Sequence, residues 1–331
     1  MKITAPISRI EEIEPLARAG ADELYCGVVP REWVERFGTG ATNRRIFGNL
    51  SSYDELRAAV DAAHAAGSAL FMVMNAQHYA GEQLDALVEL AGRFDALGGD
   101  ALIVGDVTLL ALLGRQGLRC GLHVSSVMSC RNTEAARVHR DLGASRIVLP
   151  RDVTLAEVER MARALPDLEF EAFVLNDGCV FEEGACHTLH LPSRLGGPIC
   201  LDRYGGAVVR TDGRAPDEEA IAHNEARYKD WLWYRFGCGF SVTEEGYPYG
   251  PCGLCAMPAF QAAGVASVKV AGREAATARK IRSVEMVASV RDRLAGDPGD
   301  LMRYARGLRG GEDRCAPGYM CYYREVAGPR C

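Results

Sequence analysis

Short runs rich in β-branched residues alternate with longer amphipathic stretches along most of this chain, and that alternation constrains its fold more than any other feature. Lys2–Ile7, Glu23–Val28, Ala69–Asn75, Ala101–Gly105, Gly121–Ser125, Arg146–Leu149, Glu169–Val174 and Ser267–Ala271 read as strands. Between them, Arg9–Ala19, Tyr53–Ala66, Gly81–Leu97, Val107–Arg115, Thr133–Leu142 and Leu155–Leu165 repeat apolar residues near i, i+3 and i+4, the period of a helix with one buried face. Start and stop signals fall where this reading needs them. Ser51 or Ser52 precedes Tyr53 as an N-cap, and Thr154 with Glu157 makes a capping-box pattern. Gly20, Gly67, Gly98, Gly143 and Gly264 stand where helices end. Parallel strands joined by helices make a doubly wound sheet or a (β/α)8 barrel, and eight units in about 270 residues fit the barrel.

The rhythm breaks twice. Between the seventh strand and a helix beginning near Cys252, about 75 residues replace a short loop, and loops that long in a compact domain usually carry function. The chain after Gly296 is rich in glycine and proline. This divides the molecule into a barrel over 1–296, with a cysteine-rich insertion at 175–250, and a C-terminal extension over 297–331 lying on the barrel.

Six of the twelve cysteines, Cys179, Cys186, Cys200, Cys238, Cys252 and Cys255, fall in one stretch of 77 residues. Barrel active sites lie at the C-terminal ends of the strands. Cys179 and Cys186 follow the seventh strand directly, and Cys252 and Cys255 open the returning helix, so both pairs start at that face. Cys200 and Cys238 are free to fold over it. Four thiolates suit tetrahedral zinc or an iron–sulfur cluster. A spacing of C-x6-C, then thirteen residues to Cys200, is looser than a zinc knuckle and favours a cluster assembled from several loops. His187 and His190, beside Cys186, are further donors, and Trp231, Trp233, Tyr234 and Phe236 are read as packing the insertion onto the barrel. Cys26, Cys120 and Cys130 read as small core residues. Cys315, Cys321 and Cys331 are ordinary thiols or a second metal site.

Composition narrows the class. The net charge of −6 and pI near 5.7 argue against a phosphate-neutralising surface, favouring a small-molecule substrate and making nucleic acid the less expected partner, although a local basic groove is compatible with them. No apolar run approaches the roughly 20 residues needed to span a bilayer, and the N-terminal MKITAPISRIEE has no signal-peptide core. A cytoplasmic setting follows as the expectation. There thiols stay reduced, and clustered cysteines serve as ligands rather than disulfides. Dinucleotide-binding, Walker, GxSxG and HExxH patterns are absent.

Six collinear segments carry a resemblance to a known family: AGADELYCG, TNRRIFGNLS, DALIVGD, LHVSSVMSCRN, ASRIVLPRDVTLAEV and GLCAMPAFQAAGVASVKVAGRE. Together they span roughly residues 1–290 and resemble peptidase family U32, the collagenase-like group that includes ubiquinone-biosynthesis and RNA-hydroxylating members. The resemblance implies a barrel, in several members a four-iron four-sulfur cluster on four cysteines, and oxygen-independent hydroxylation with prephenate as oxygen source. It assigns Cys179, Cys186 and Cys200 as ligands. The RNA-type members place a further cysteine where this chain has Tyr204. Another branch takes its fourth ligand far downstream, which Cys238 fits at 38 residues on, with Cys255 and Cys252 as alternatives. Val127, Asp152 and Ala271 depart from the family's glutamine and two glutamates, so the substrate is expected to differ from that of familiar members.

Hydroxylation with a dicarboxylate co-substrate demands a cationic pocket beside the cluster, and arginine is the natural clamp because its fork binds carboxylates bidentately. Arg45, Lys269 and Arg273, with Asn75 at the end of the third strand, are the candidate substrate-binding residues. Arg151, His123 and Asp106 are the candidate catalytic ones. A peptidase and a non-catalytic iron–sulfur or zinc subunit pairing with a second family member are the competing readings. No nucleophile with a base at recognisable spacing supports the former.

Overall fold

All eight anticipated strands form, each within one residue of the expected ends. The computed structural model describes residues 1–38, 41–45, 47–179, 182–185, 209–232 (230–232 as backbone only), 250–309, 315, 318 and 321–326. In chain order the strands are β1 (Lys2–Pro6), β2 (Glu23–Val28), β3 (Asn49–Leu50), β4 (Ala69–Met74), β5 (Ala101–Val104), β6 (Gly121–Val124), β7 (Arg146–Val148), β8 (Glu169–Leu175) and β9 (Ser267–Val270). Every pairing between them is parallel. The order β1-β9-β8-β7-β6-β5-β4-β2 closes through β1–β2, giving an eight-stranded barrel with β3 outside the ring on β2.

Helices on the outside bury one face each against the outward side chains of the strands, as the 3.6-residue period requires. Their ends follow local chemistry. Ser52 accepts the Glu55 amide at 3.1 Å and caps the helix Tyr53–Ala65. Thr154 and Glu157 exchange hydrogen bonds as a capping box on Leu155–Ala164. Gly264 ends Met257–Ala263 at φ 79°, a backbone state costly for any other residue. Cys26, Cys120 and Cys130 are buried, as anticipated, and burial pushes each thiol up to about 12. Among the described residues no helix is long and apolar enough to cross a membrane.

The barrel interior is split by polarity. Tyr25, Phe71, Val73, Ala101 and Ile103 form an apolar cluster apart from the main core. Beside it lies a buried ionic network, reachable only across the lumen. Arg146 on β7 forks onto both carboxylate oxygens of Glu23 on β2 (2.7 and 2.8 Å) and reaches Glu171 on β8 at 3.0 Å. Lys269 on β9 completes it on Glu171 at 2.5 Å. Burial alone would raise the Glu23 carboxyl, but the Arg146 fork outweighs it and holds the group down at about 2.

The C-terminal segment is stitched onto the outside of β8. Cys321 and Cys252 form a parallel bridge, and the Tyr322 amide donates to the Cys252 carbonyl at 2.9 Å. The Tyr323 hydroxyl donates to the Phe173 carbonyl at 3.1 Å, while its ring meets Phe260 edge-on at 4.8 Å.

Candidate active site at the barrel mouth

The C-terminal strand ends converge on a polar mouth built by the loops that follow them. After β2, Thr42 donates to the Val28 carbonyl at 2.5 Å, and Tyr79 donates to the Thr42 carbonyl at 2.7 Å, folding the Thr-Asn-Arg-Arg segment inward. Asn75, just past β4, accepts the Arg44 amide at 3.2 Å and donates to Ser125 at 3.2 Å. Arg273, just past β9, donates to Asn43 at 2.6 Å and Asn49 at 3.1 Å. The guanidinium passes so close to Gly27 that a Cβ there would lie 2.0 Å from its nitrogen. Burial, the largest influence on Arg273, lowers it to about 10, so it stays charged at neutral pH.

Arg45 bridges Asp177 (2.8 Å) and Glu274 (3.1 Å); burial works against its charge, but the two carboxylates win and raise its pKa. Asp177 and its neighbour Asn176 hold left-handed φ values of 47° and 67°, a strained turn that asparagine and aspartate tolerate best. Cys179 follows two residues later with a half-buried thiol.

Arg151 lies over the Phe173 ring, 3.6 Å from its centroid, and pairs with Glu183. Burial disfavours its charge, but Glu183 more than compensates and raises its pKa. Glu183 is buried and also accepts the Arg151 amide (3.1 Å) and the Ser126 hydroxyl (3.0 Å). Arg44 binds the Glu183 carbonyl at 2.9 Å, Gln77 binds that of Gly184 at 2.5 Å, and Arg131 bridges Glu182 and Asp152.

The structure therefore brings Arg45, Asn75, Arg151 and Arg273 to one mouth. Asp106 is near it, but its carboxylate accepts the Leu109 amide at 2.8 Å and caps the helix Val107–Leu113. His123 and Lys269 sit inside the barrel, Lys269 in the ionic network and His123 beside it. His123 packs edge-on against Phe71 at 4.8 Å, its Nδ1 buried without a partner. Burial, reinforced by the Arg146 charge, drives its pKa well below the ordinary histidine value, so it is neutral at pH 7. Lys269 lies 4.1 Å from the Tyr25 ring centroid, and burial lowers its pKa despite the Glu171 contact.

Of the anticipated cluster ligands, Cys179 is described, while Cys186, Cys200 and Cys238 lie outside the described residues, as do His187, His190, Cys331, Trp233, Tyr234, Phe236 and the Trp231 side chain. Cys252 and Cys255 sit instead with the C-terminal thiols. Cys255, lifted to about 12 mainly by burial, also feels Cys252 and Cys315, and Cys321 feels all three. Among the described residues no three cysteine, histidine or acidic side chains gather as a metal site. Cys179, a soft donor at the strand end, fits a thiolate ligand.

Sequence reasoning missed Glu183, Asn43, Asn49 and Ser126. Asn43 stands inside the Thr-Asn-Arg-Arg segment beside the chosen Arg45, so its position was within reach. Glu183 carried no comparable signal, because its partner Arg151 is 32 residues away.

The family model for peptidase family U32 matches residues 8–328. Relatives include tRNA hydroxylation protein P of Escherichia coli, 26% identical across 56% of this chain and 38% of that protein. Its Helicobacter pylori counterpart is 28% identical across 56% and 42%. A 23S rRNA 5-hydroxycytidine synthase of Escherichia coli is 29% identical across 52% and 24%. The matched part is thus less than half the length of these relatives. The solved structure of a U32 peptidase shares 19% identity over 53% of this chain and 69% of that one, with a TM-score of 0.41. These names overturn the expectation of a small-molecule substrate with nucleic acid as the less expected partner. That expectation rested on net charge, a whole-chain sum that averages away any local surface. On the family match along nearly its whole length, the chain belongs to peptidase family U32.

Proposed function

We propose that this chain is an RNA hydroxylase that uses an iron–sulfur cluster and takes its oxygen from prephenate. The observation that carries the reading is its likeness, over more than half its length, to relatives named for tRNA hydroxylation. A base acted on in this way must leave its stack and enter a pocket that reads its polar edge. Asn75 with Ser125, and Asn43 with Asn49, supply fixed amide and hydroxyl groups for that purpose. Arg45, Arg151 and Arg273 supply donors for the carboxylates of the co-substrate. His123, neutral and buried beneath the mouth, holds one ring N–H and leaves its other nitrogen bare.

Cys179, Cys186, Cys200 and Cys238 would hold the cluster, which when bound supplies one-electron chemistry or a Lewis-acidic iron. The left-handed turn at Asn176 and Asp177, tied down by Arg45, fixes where Cys179 leaves β8.

The test is a gene deletion read by mass spectrometry of nucleosides from purified tRNA and rRNA. One nucleoside heavier by a single oxygen should vanish, return with the wild-type gene, and stay absent with Cys179→Ala. It should also vanish in cells blocked before prephenate. An unchanged nucleoside profile, or protein free of iron after anaerobic reconstitution, would sink the reading.

A further inference from the structure

We infer that Ser126, the Arg151 amide and the Arg151 guanidinium form an oxyanion subsite at the barrel mouth, which Glu183 fills as an internal stand-in for a carboxylate or phosphate of the substrate. The three donors belong to the rim where barrel enzymes bind ligands. Ser126 opens the 3-10 turn Ser126–Met128 after β6, Arg151 follows β7, and its guanidinium is levelled by Phe173 of β8. Together they take two carboxylate oxygens: Oε1 on the Arg151 amide, Oε2 on Ser126 and the guanidinium. That is the geometry in which an enzyme holds the acid group of a ligand.

The occupant comes from a loop rather than from the scaffold. Residues 182–185 belong to no strand or helix, and side chains hold their backbone, Arg44 on the Glu183 carbonyl and Gln77 on that of Gly184. Such contacts exchange for others at little cost, unlike the ladder bonds of a strand. The loop also fits closely: a Cβ on Gly184 would lie 2.8 Å from the Val127 carbonyl.

The donors are not used up by Glu183. The Nε atoms of Arg151 and Arg44 are buried with no partner among the described residues. Buried donors left unpaired are uncommon in a finished structural ion pair, and an incoming anion with more oxygens than Glu183 offers would satisfy them. This rests on the hydroxylase reading only for which anion arrives, a carboxylate of the co-substrate or a phosphate of the RNA.

Calorimetric titration of the full chain with malonate, and separately with inorganic phosphate, reads the subsite without iron or turnover. Its failure is thereby distinguishable from failure of the hydroxylase reading. Glu183→Gln keeps the shape but removes the competing charge, so binding should tighten about tenfold or more, the scale of a freed charge-assisted contact. Arg151→Gln added to that variant should abolish the gain. Tightening for malonate alone assigns the subsite to a carboxylate; tightening for phosphate as well assigns it to RNA phosphate. A folded Glu183→Gln protein that binds both no better than wild type overturns the proposal. In the wild type, saturating malonate or phosphate should speed amide hydrogen exchange across residues 182–185. Unchanged exchange there overturns it too, and that result holds even where the variant does not fold.

Discussion

The side chain that best shows what the barrel interior costs and returns is Glu23. It is almost fully buried, and an unpaired carboxylate there would be strongly destabilising. Arg146 forks onto it, Thr4 donates to it at 2.7 Å, and its pKa falls from an ordinary 4.5 to about 2. A carboxyl depressed in the folded state stabilises fully above its unfolded value, and that contribution fades as pH falls from 4.5 toward 2. The depression corresponds to roughly 3 kcal/mol. Urea unfolding of the wild type should therefore weaken by about that much across this window, beyond the loss in Glu23→Gln. Parallel pH profiles for the two proteins would remove Glu23 from the account. The variant should also be less stable at pH 7 by about 3–5 kcal/mol, since Arg146 loses its bidentate partner.

Among the elements, the C-terminal segment makes the more pointed claim. Among the described residues it adds no strand to the barrel, yet Tyr323 covers the outside of β8, filling space above Gly253, where a Cβ would meet the ring at 2.8 Å. Packing against Phe260 and a hydrogen bond to Phe173 both act there, and two substitutions separate them. Tyr323→Ala should cost about 3–5 kcal/mol as a buried aromatic lost. Tyr323→Phe keeps the ring and leaves a carbonyl unpaired, costing about 1 kcal/mol. Thermal unfolding giving equal losses would mean the ring contributes nothing.

What could be read ahead at this scale divides by range. The strands and the Thr154–Glu157 box were legible because β-branched runs and caps are decided within a few residues. The two-residue β3 was not, since Asn49 and Leu50 become a strand only through β2. Lys269 was correctly placed on a strand but read as a substrate cation, because a period of two does not say which layer of the lumen a side chain reaches. Arg45, Arg151 and Arg273 were legible as cations at the mouth, while the carboxylates that meet them come from loops far off in sequence and were not.

At the scale of the whole molecule, those pairings decide how RNA would be gripped. A net charge of −6 leaves little long-range attraction for a polyanion. Three of the arginines there do little to offset it, because Arg45 is shared by Asp177 and Glu274, Arg151 by Glu183, and Arg131 by Asp152 and Glu182. Each neutralised phosphate contributes nearly one unit to the slope of log affinity against log salt, and proteins that track the backbone make about six to ten such contacts. A site working through base edges held by Asn43, Asn49 and Asn75, with Arg45, Arg151 and Arg131 already paired to carboxylates, releases few counterions. Filter binding of the modified RNA between about 50 and 200 mM salt should therefore give a slope no steeper than about −3. A slope approaching that of a backbone-tracking protein would mean that cations beyond the described mouth carry the RNA, and that selection by base edges is not where the affinity arises.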